Sequence, residues 1–92
     1  MILEVAILDV IKGEEKDFEK SFSQAQEIIC NMPGYISHEL KICIENKSRY
    51  LLLVNWETLE DHTIGFRESK PYLQWKELLH HYYSPFPTVE HY

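Results

Sequence analysis

The side chains able to do chemistry in this 92-residue chain are five histidines, two tryptophans and six tyrosines, with few nucleophiles beside them. His62 leads them, a few positions after Asn55 and Trp56. An imidazole that titrates near neutrality in an aromatic-walled pocket can take a proton from a phenolic substrate. The structural alternative has His62 hydrogen-bonding a loop carbonyl. Asn55 ends an apolar strand; it could orient a substrate carbonyl, or cap the helix that starts nearby. His38 shares a strand face with Ile36 and Leu40. It is a second candidate base if that face lines a pocket, and otherwise a satisfied core or interface histidine. Phe66 stands one helical turn after His62 on the same face. Arg67 could grip a carboxylate or phenolate with two hydrogen bonds, or pair with Glu68 at the surface. Tyr72, Trp75, Tyr82 and Tyr83 make an aromatic-rich stripe that suits a core and equally the wall of a flat-ring ligand site.

Other chemistries find no pattern. His80 and His81 are adjacent, so they point to different sides of a helix and cannot chelate one ion together. Neither His-x3-His nor Cys-x2-Cys occurs, so no metal is expected. Cys30 lies on an acidic helix, a poor place to stabilise a thiolate. With 3 glycines, none closely repeated, no phosphate loop can form, and flavin or nicotinamide binding has no support. No cofactor is expected.

These residues must be positioned by a small scaffold. The chain is 45% hydrophobic and 26% charged with 3 Gly and 4 Pro, which fits one domain over residues 1–92 rather than a disordered tail. A net charge of −6 without a basic stripe argues against a nucleic-acid partner. No apolar run reaches the roughly 20 residues of a membrane helix. The start MILEVAILDV carries Glu4 and Asp9 and no basic segment, unlike a signal peptide. Cys30 and Cys43 do not make a disulfide framework, so a cytoplasmic setting is expected.

The elements read strand, helix, strand, strand, helix, strand. Residues 2–11 are almost continuously apolar and suggest a strand buried on both faces; Glu4 and Asp9 interrupt it on opposite faces. Phe18, Phe22, Ala25, Ile29 and Met32 make the stripe of an amphipathic helix over 14–32, stopped by Pro33-Gly34. Residues 35–45 alternate, with Ile36, His38, Leu40 and Ile42 on one face and Tyr35, Ser37, Glu39 and Lys41 on the other. Asn46-Lys47-Ser48 is turn chemistry. Residues 49–57 are apolar on both faces, which predicts a central strand. Thr58 caps a short helix holding Leu59, His62 and Phe66; Ser69 and Pro71 start another. Residues 88–92 form a last strand. Two βαβ-like halves predict an α+β, ferredoxin-like sandwich (βαββαβ) with helices on one sheet face. The other face stays apolar, and a second copy is its simplest cover, so a homodimer is expected.

The segments PGYISHEL, RYLLLVNWETLEDH and GFRESKPYLQW, in this order of elements, resemble the antibiotic biosynthesis monooxygenase (ABM) family, whose fold is a dimeric α+β barrel. The resemblance covers essentially the whole chain, and the ending PFPTVEHY looks like one branch of the family. It implies a pocket in each protomer between helices and sheet, roofed by the broken second helix. The family includes cofactor-free quinone-forming monooxygenases, haem-degrading enzymes and members of no assigned reaction. In the haem-cleaving members an Asn, a Trp and a His matter; their positions fall near Ala6, Phe66 and Lys76, and none matches. The histidines of many other members fall at Phe66 and Tyr72, with His62 one turn earlier. The resemblance thus implies a cofactor-independent monooxygenase acting on a small aromatic or quinone-like molecule: His62, Asn55 and Trp56 carry the reaction, and His38, Phe66, Arg67, Tyr72 and Trp75 bind substrate. The competing expectation is a non-catalytic dimeric protein, stress-related or holding a small hydrophobic ligand.

Overall fold

The computed structural model describes residues 1–92. The chain runs β1 (Ile2–Asp9), α1 (Glu15–Cys30), β2 (Tyr35–Ile42), β3 (Arg49–Trp56), a π-helical turn (Asp61–Phe66), α2 (Lys70–Leu79), a 3-10 turn (His80–Tyr82) and β4 (Val89–His91). The strands form one antiparallel sheet in the order β2-β3-β1-β4, with α1 and α2 packed against each other on one side of it. This is the ferredoxin-like α+β arrangement. The doubly apolar β3 does lie inside the sheet.

Strand β1 corrects one expectation, because only one of its faces is buried. Glu4, Ala6, Leu8 and, just past the strand, Val10 point under the helices, whereas Ile7 is half exposed on the outer side. The pairing Glu4↔Val54, Ala6↔Leu52 and Leu8↔Tyr50 puts the buried residues of both central strands on that one face. Phe18, Phe22, Ala25 and Ile29 of α1 close over them. Each large apolar side chain so buried contributes about 1.5–3 kcal/mol. On the opposite face Leu3, Val5, Ile7, Leu51 and Leu53 run down the centre, edged by Asp9, Glu39, Lys41 and Arg49.

The alternation of β2 is broken once. A bulge between Tyr35 and Ser37 gives Ile36 no partner, so Tyr35 pairs with Trp56 and faces the helices together with His38. A strict period of two would have put Tyr35 and His38 on opposite faces; one extra residue reverses that.

The helix after β3 is wider than an α-helix. Thr58 and Asp61 cap it reciprocally: each backbone N–H donates to the other's side-chain oxygen at 3.1 Å. Gly34 makes room for this, because with φ +83° a Cβ there would sit 2.2 Å from the Asp61 carboxyl. The N–H of Arg67 then donates to the His62 carbonyl, a five-residue step. His62 and Arg67 are therefore one full turn apart and share a side. Ser69 caps α2 by accepting the Tyr72 N–H, with Pro71 in the first turn. No helix is long and apolar enough to cross a membrane.

Candidate functional site

A cavity of about 340 Å³ lies between the sheet and the π turn with α2. Its floor is Ala6, Leu8 and Leu52 from β1 and β3, and its roof includes Phe66, Tyr72, Trp75 and Leu79. Phe86 and Pro87, from the segment before β4, complete the wall. Phe66 stands edge-on to both Tyr72 and Trp75, with ring centroids 5.1 and 5.6 Å away. That is the box of aromatic edges and faces a flat ring requires.

One end of the box is polar, and its centre is a residue the sequence reading passed over. Glu4, 6% exposed, projects from the buried face of β1 into the cavity. Its Oε1 accepts the indole N–H of Trp56 at 3.0 Å and lies 3.3 Å from Nε2 of His62. Both contacts use the same oxygen, which leaves Oε2 without a protein partner. Burial pushes the Glu4 carboxyl above its ordinary range, against the lowering effects of the Trp56 bond and the Arg67 charge. A signal for it existed: Glu4 shares the parity of Ala6, Leu8 and Val10, the residues that go inside.

His62 is 3% exposed and stacks on Trp56 with 5.5 Å between centroids and planes 21° apart. Its Nδ1 is 2.8 Å from Nε2 of His91 on β4, and β4 places His91 directly across from Glu4. Burial, the Arg67 guanidinium and His91 together drive the His62 pKa down to about 3. The sequence led to the expectation of an imidazole titrating near neutrality; in the structure burial holds the ring uncharged at neutral pH. His91, which the sequence reading did not weigh, is also lowered, by burial and by Arg67.

The other candidates separate cleanly. Phe66, Arg67, Tyr72 and Trp75 line the cavity. Arg67 makes no ion pair with Glu68; it is exposed at the cavity's polar end and acts on Glu4, His62, Tyr72 and His91 through charge. Trp56 is completely buried and does not line the cavity itself; it backs Glu4, His62 and Phe66, which do. Asn55 is outside it: the period of two turns it to the opposite sheet face, where it donates to Ser37 Oγ at 3.0 Å. It caps no helix either. His38 faces the helices but not the cavity. Its Nε2 lies 3.2 Å from Gln26 Oε1, and its Nδ1 lies 2.5 Å from the Tyr35 hydroxyl, so both nitrogens are engaged.

At the far wall His80 faces Tyr72, Tyr83 and Phe86, and its buried Nδ1 has no hydrogen-bond partner. No group of three or more His, Cys, Asp and Glu side chains is arranged to hold a metal ion.

This geometry can be set beside known proteins. The family model "Antibiotic biosynthesis monooxygenase" matches residues 1–78. Uncharacterized protein YczJ of Bacillus subtilis (strain 168) is 56% identical over 92 residues, which is 100% of this chain and 97% of that protein. The crystal structure of a putative antibiotic biosynthesis monooxygenase from Bordetella bronchiseptica superposes with a TM-score of 0.95 at 34% identity, covering 99% of this chain and 93% of its own. A monooxygenase from the gene ActVA-Orf6 of Streptomyces coelicolor, solved in complex with the ligand nanaomycin D, shares the fold with a TM-score of 0.81. It is 17% identical, over 99% of this chain and 84% of that one. The match in sequence, along nearly all of the chain, and the match in fold agree: this chain belongs to the antibiotic biosynthesis monooxygenase family.

Proposed function

We propose that the chain is a cofactor-independent monooxygenase that oxidises a small phenolic or quinone-like aromatic molecule in the cavity beneath the π turn. One observation carries the reading: a buried carboxyl, Glu4, keeps an oxygen free of protein partners inside an aromatic box. A carboxyl raised by burial is a better proton acceptor than an ordinary one. Glu4 Oε2 takes the phenolic proton. Arg67, at the same end of the cavity, stabilises the phenolate. The electron-rich anion then passes an electron to dioxygen, and the two radicals join as a peroxide. The peroxide collapses so that a ring methylene plus O2 becomes a carbonyl plus water. Neutral His62 and Trp56 hold Glu4 in place, and Phe66, Tyr72 and Trp75 hold the ring. The family and the ligand-bound monooxygenase of the same fold support this reading.

The apolar strip Leu3, Val5, Ile7, Leu51 and Leu53 on the outer sheet face supports a homodimer that covers it. Light scattering should give twice the mass of the chain.

The test of activity is oxygen uptake by the purified protein with anthrone-type phenols and hydroquinones in air, with nothing else added. Uptake matched one-to-one by carbonyl product is expected. Quenching of Trp fluorescence by the same compounds without uptake would make the cavity a binding site and overturn the catalytic reading.

A further inference from the structure

We infer that His91 is a positioning residue of this site: its ring N–H fixes the tautomer of His62, and through His62 the orientation of the Glu4 carboxyl. The inference rests on the reading of Glu4 as proton acceptor and adds His91, the next-to-last residue of the sequence.

The argument follows from which groups can donate. An indole N–H can only donate, so Glu4 Oε1, 3.0 Å from Trp56 Nε1, is an accepting oxygen. A carboxylate accepts at both oxygens, and a protonated carboxyl accepts best at its carbonyl oxygen. Oε1 therefore fills the accepting role in either state, and any proton sits on Oε2. His62 Nε2 faces that same oxygen at 3.3 Å, an ion-pair approach and not a formed hydrogen bond; a hydrogen on Nε2 is attracted there, whereas a bare lone pair would face the oxygen's lone pairs and repel. Burial keeps His62 neutral, so only one ring nitrogen is protonated, and Nδ1 is a bare lone pair. That lone pair faces His91 Nε2 at 2.8 Å. Two bare nitrogens at this distance would repel, so His91 Nε2 bears the hydrogen. The result is a chain of donors running inward from His91 to His62 to Glu4, met by Trp56 from the other side. The Trp56 N–H holds Oε1, the His62 N–H faces it, and Oε2 is left as the basic atom of the cavity.

The fold supplies this arrangement through register. Glu4 and His91 are direct partners across β1 and β4, and the capped π turn places His62 against both. The charged and titratable groups around His91 are Glu4 from β1, and His62 and Arg67 from the π turn. On its own strand Glu90 alternates to the other face, where it takes the Tyr92 hydroxyl. Burial and Arg67 keep His91 neutral as well, so its one N–H is committed to His62.

The experiment reads the tautomers by 15N NMR of the histidine rings and the pH profile of turnover, in wild type, His91→Phe and His91→Gln. Wild type should show His62 protonated at Nε2 and bare at Nδ1. In His91→Phe the Nδ1–H form of His62 should appear, turnover should fall on the order of tenfold at neutral pH with little change in KM, and the profile should move to higher pH. An N–H facing the charged carboxyl is being turned away, so the carboxyl binds its proton more tightly. His91→Gln keeps an N–H donor and should restore both the tautomer and most of the turnover. A wild-type His62 protonated at Nδ1, or Phe and Gln variants that behave alike, would overturn the inference. If no form oxidises any phenol, the acceptor reading of Glu4 fails by itself, and the NMR measurement still decides the tautomer.

Discussion

Two histidine clusters lie on the same face of the same sheet and come to opposite ends. At the β2 edge, His38 binds Gln26 through one nitrogen and Tyr35 through the other. At the β1–β4 side, His62 bonds His91 through one nitrogen and faces the Glu4 carboxyl at 3.3 Å with the other. The difference lies one residue further on. Beside His38 both ring nitrogens are spent on Gln26 and Tyr35, and none of the three residues lines the aromatic-walled cavity. Beside His62 stands a carboxyl with a spare oxygen and about 340 Å³ of aromatic-walled space in front of it. A buried histidine is structural when its network closes on itself, and serves a site when the network ends on an atom with nothing to hold. The direction of the pKa shift does not distinguish the two, since desolvation lowers both the half-buried His38 and the buried His62.

Breaking each network at its key group should give the largest contrast. Glu4→Gln removes the proposed proton acceptor but keeps an oxygen for the Trp56 N–H, so oxygen uptake should fall by roughly 10²–10⁴-fold. His38→Gln removes no atom that lines the cavity and should change turnover less than about twofold, within the small range of changes that leave a site intact. Equal losses in the two variants would erase the distinction between the clusters.

The scaffold of the His62 cluster gives the next effect. Gly34→Ala forces a Cβ into the Asp61 carboxyl at a left-handed backbone position. A cost of about 2 kcal/mol or more is expected in denaturant melts, from backbone strain and loss of the cap together. Gly13 also has positive φ but nothing within 4 Å of an added Cβ. Its alanine variant should lose about 1 kcal/mol, the backbone term alone.

The pH dependence of stability should show the smallest and most graded effect. His62 is lowered to about 3 from 6.5, so the native state binds fewer protons than the unfolded chain between those values. Its contribution is complete above 6.5 and drains away as pH falls toward 3. His38, His80 and His91 are lowered too and act in the same direction. Glu4 is raised above 4.5, so it works the other way, costing stability as pH rises through that window. Four imidazoles against one carboxyl should leave Tm falling between about pH 7 and pH 5. His62→Gln should flatten that slope more than His38→Gln, because His62 is the more deeply buried.

Much of the fold was legible from pattern. The stripe Phe18, Phe22, Ala25 and Ile29 specified α1, and all four are buried. Two apolar faces marked β3 as central, and Thr58 and Ser69 announced their helix starts. Phe66, Arg67, Tyr72 and Trp75, which the resemblance and their place on the broken helix suggested for a pocket, do line the cavity. Asn55 was misplaced because its chemistry was weighed without its parity. Glu4 was read as an interruption of an apolar strand rather than as a charge that an apolar strand carries inside.

What the sequence determined by itself is periodic: which residues make helices and strands, and which parity of each strand is greasy, since both follow from spacings within a few residues. The tertiary structure decided everything that depends on where distant elements meet. It set the bulge that turned Tyr35 toward His38, and the register that puts Glu4 opposite His91. It also brought His62 down between them. Those contacts join residues from both ends and the middle of the chain. No local spacing encodes them, because they arise only when the sheet and the π turn close on one another.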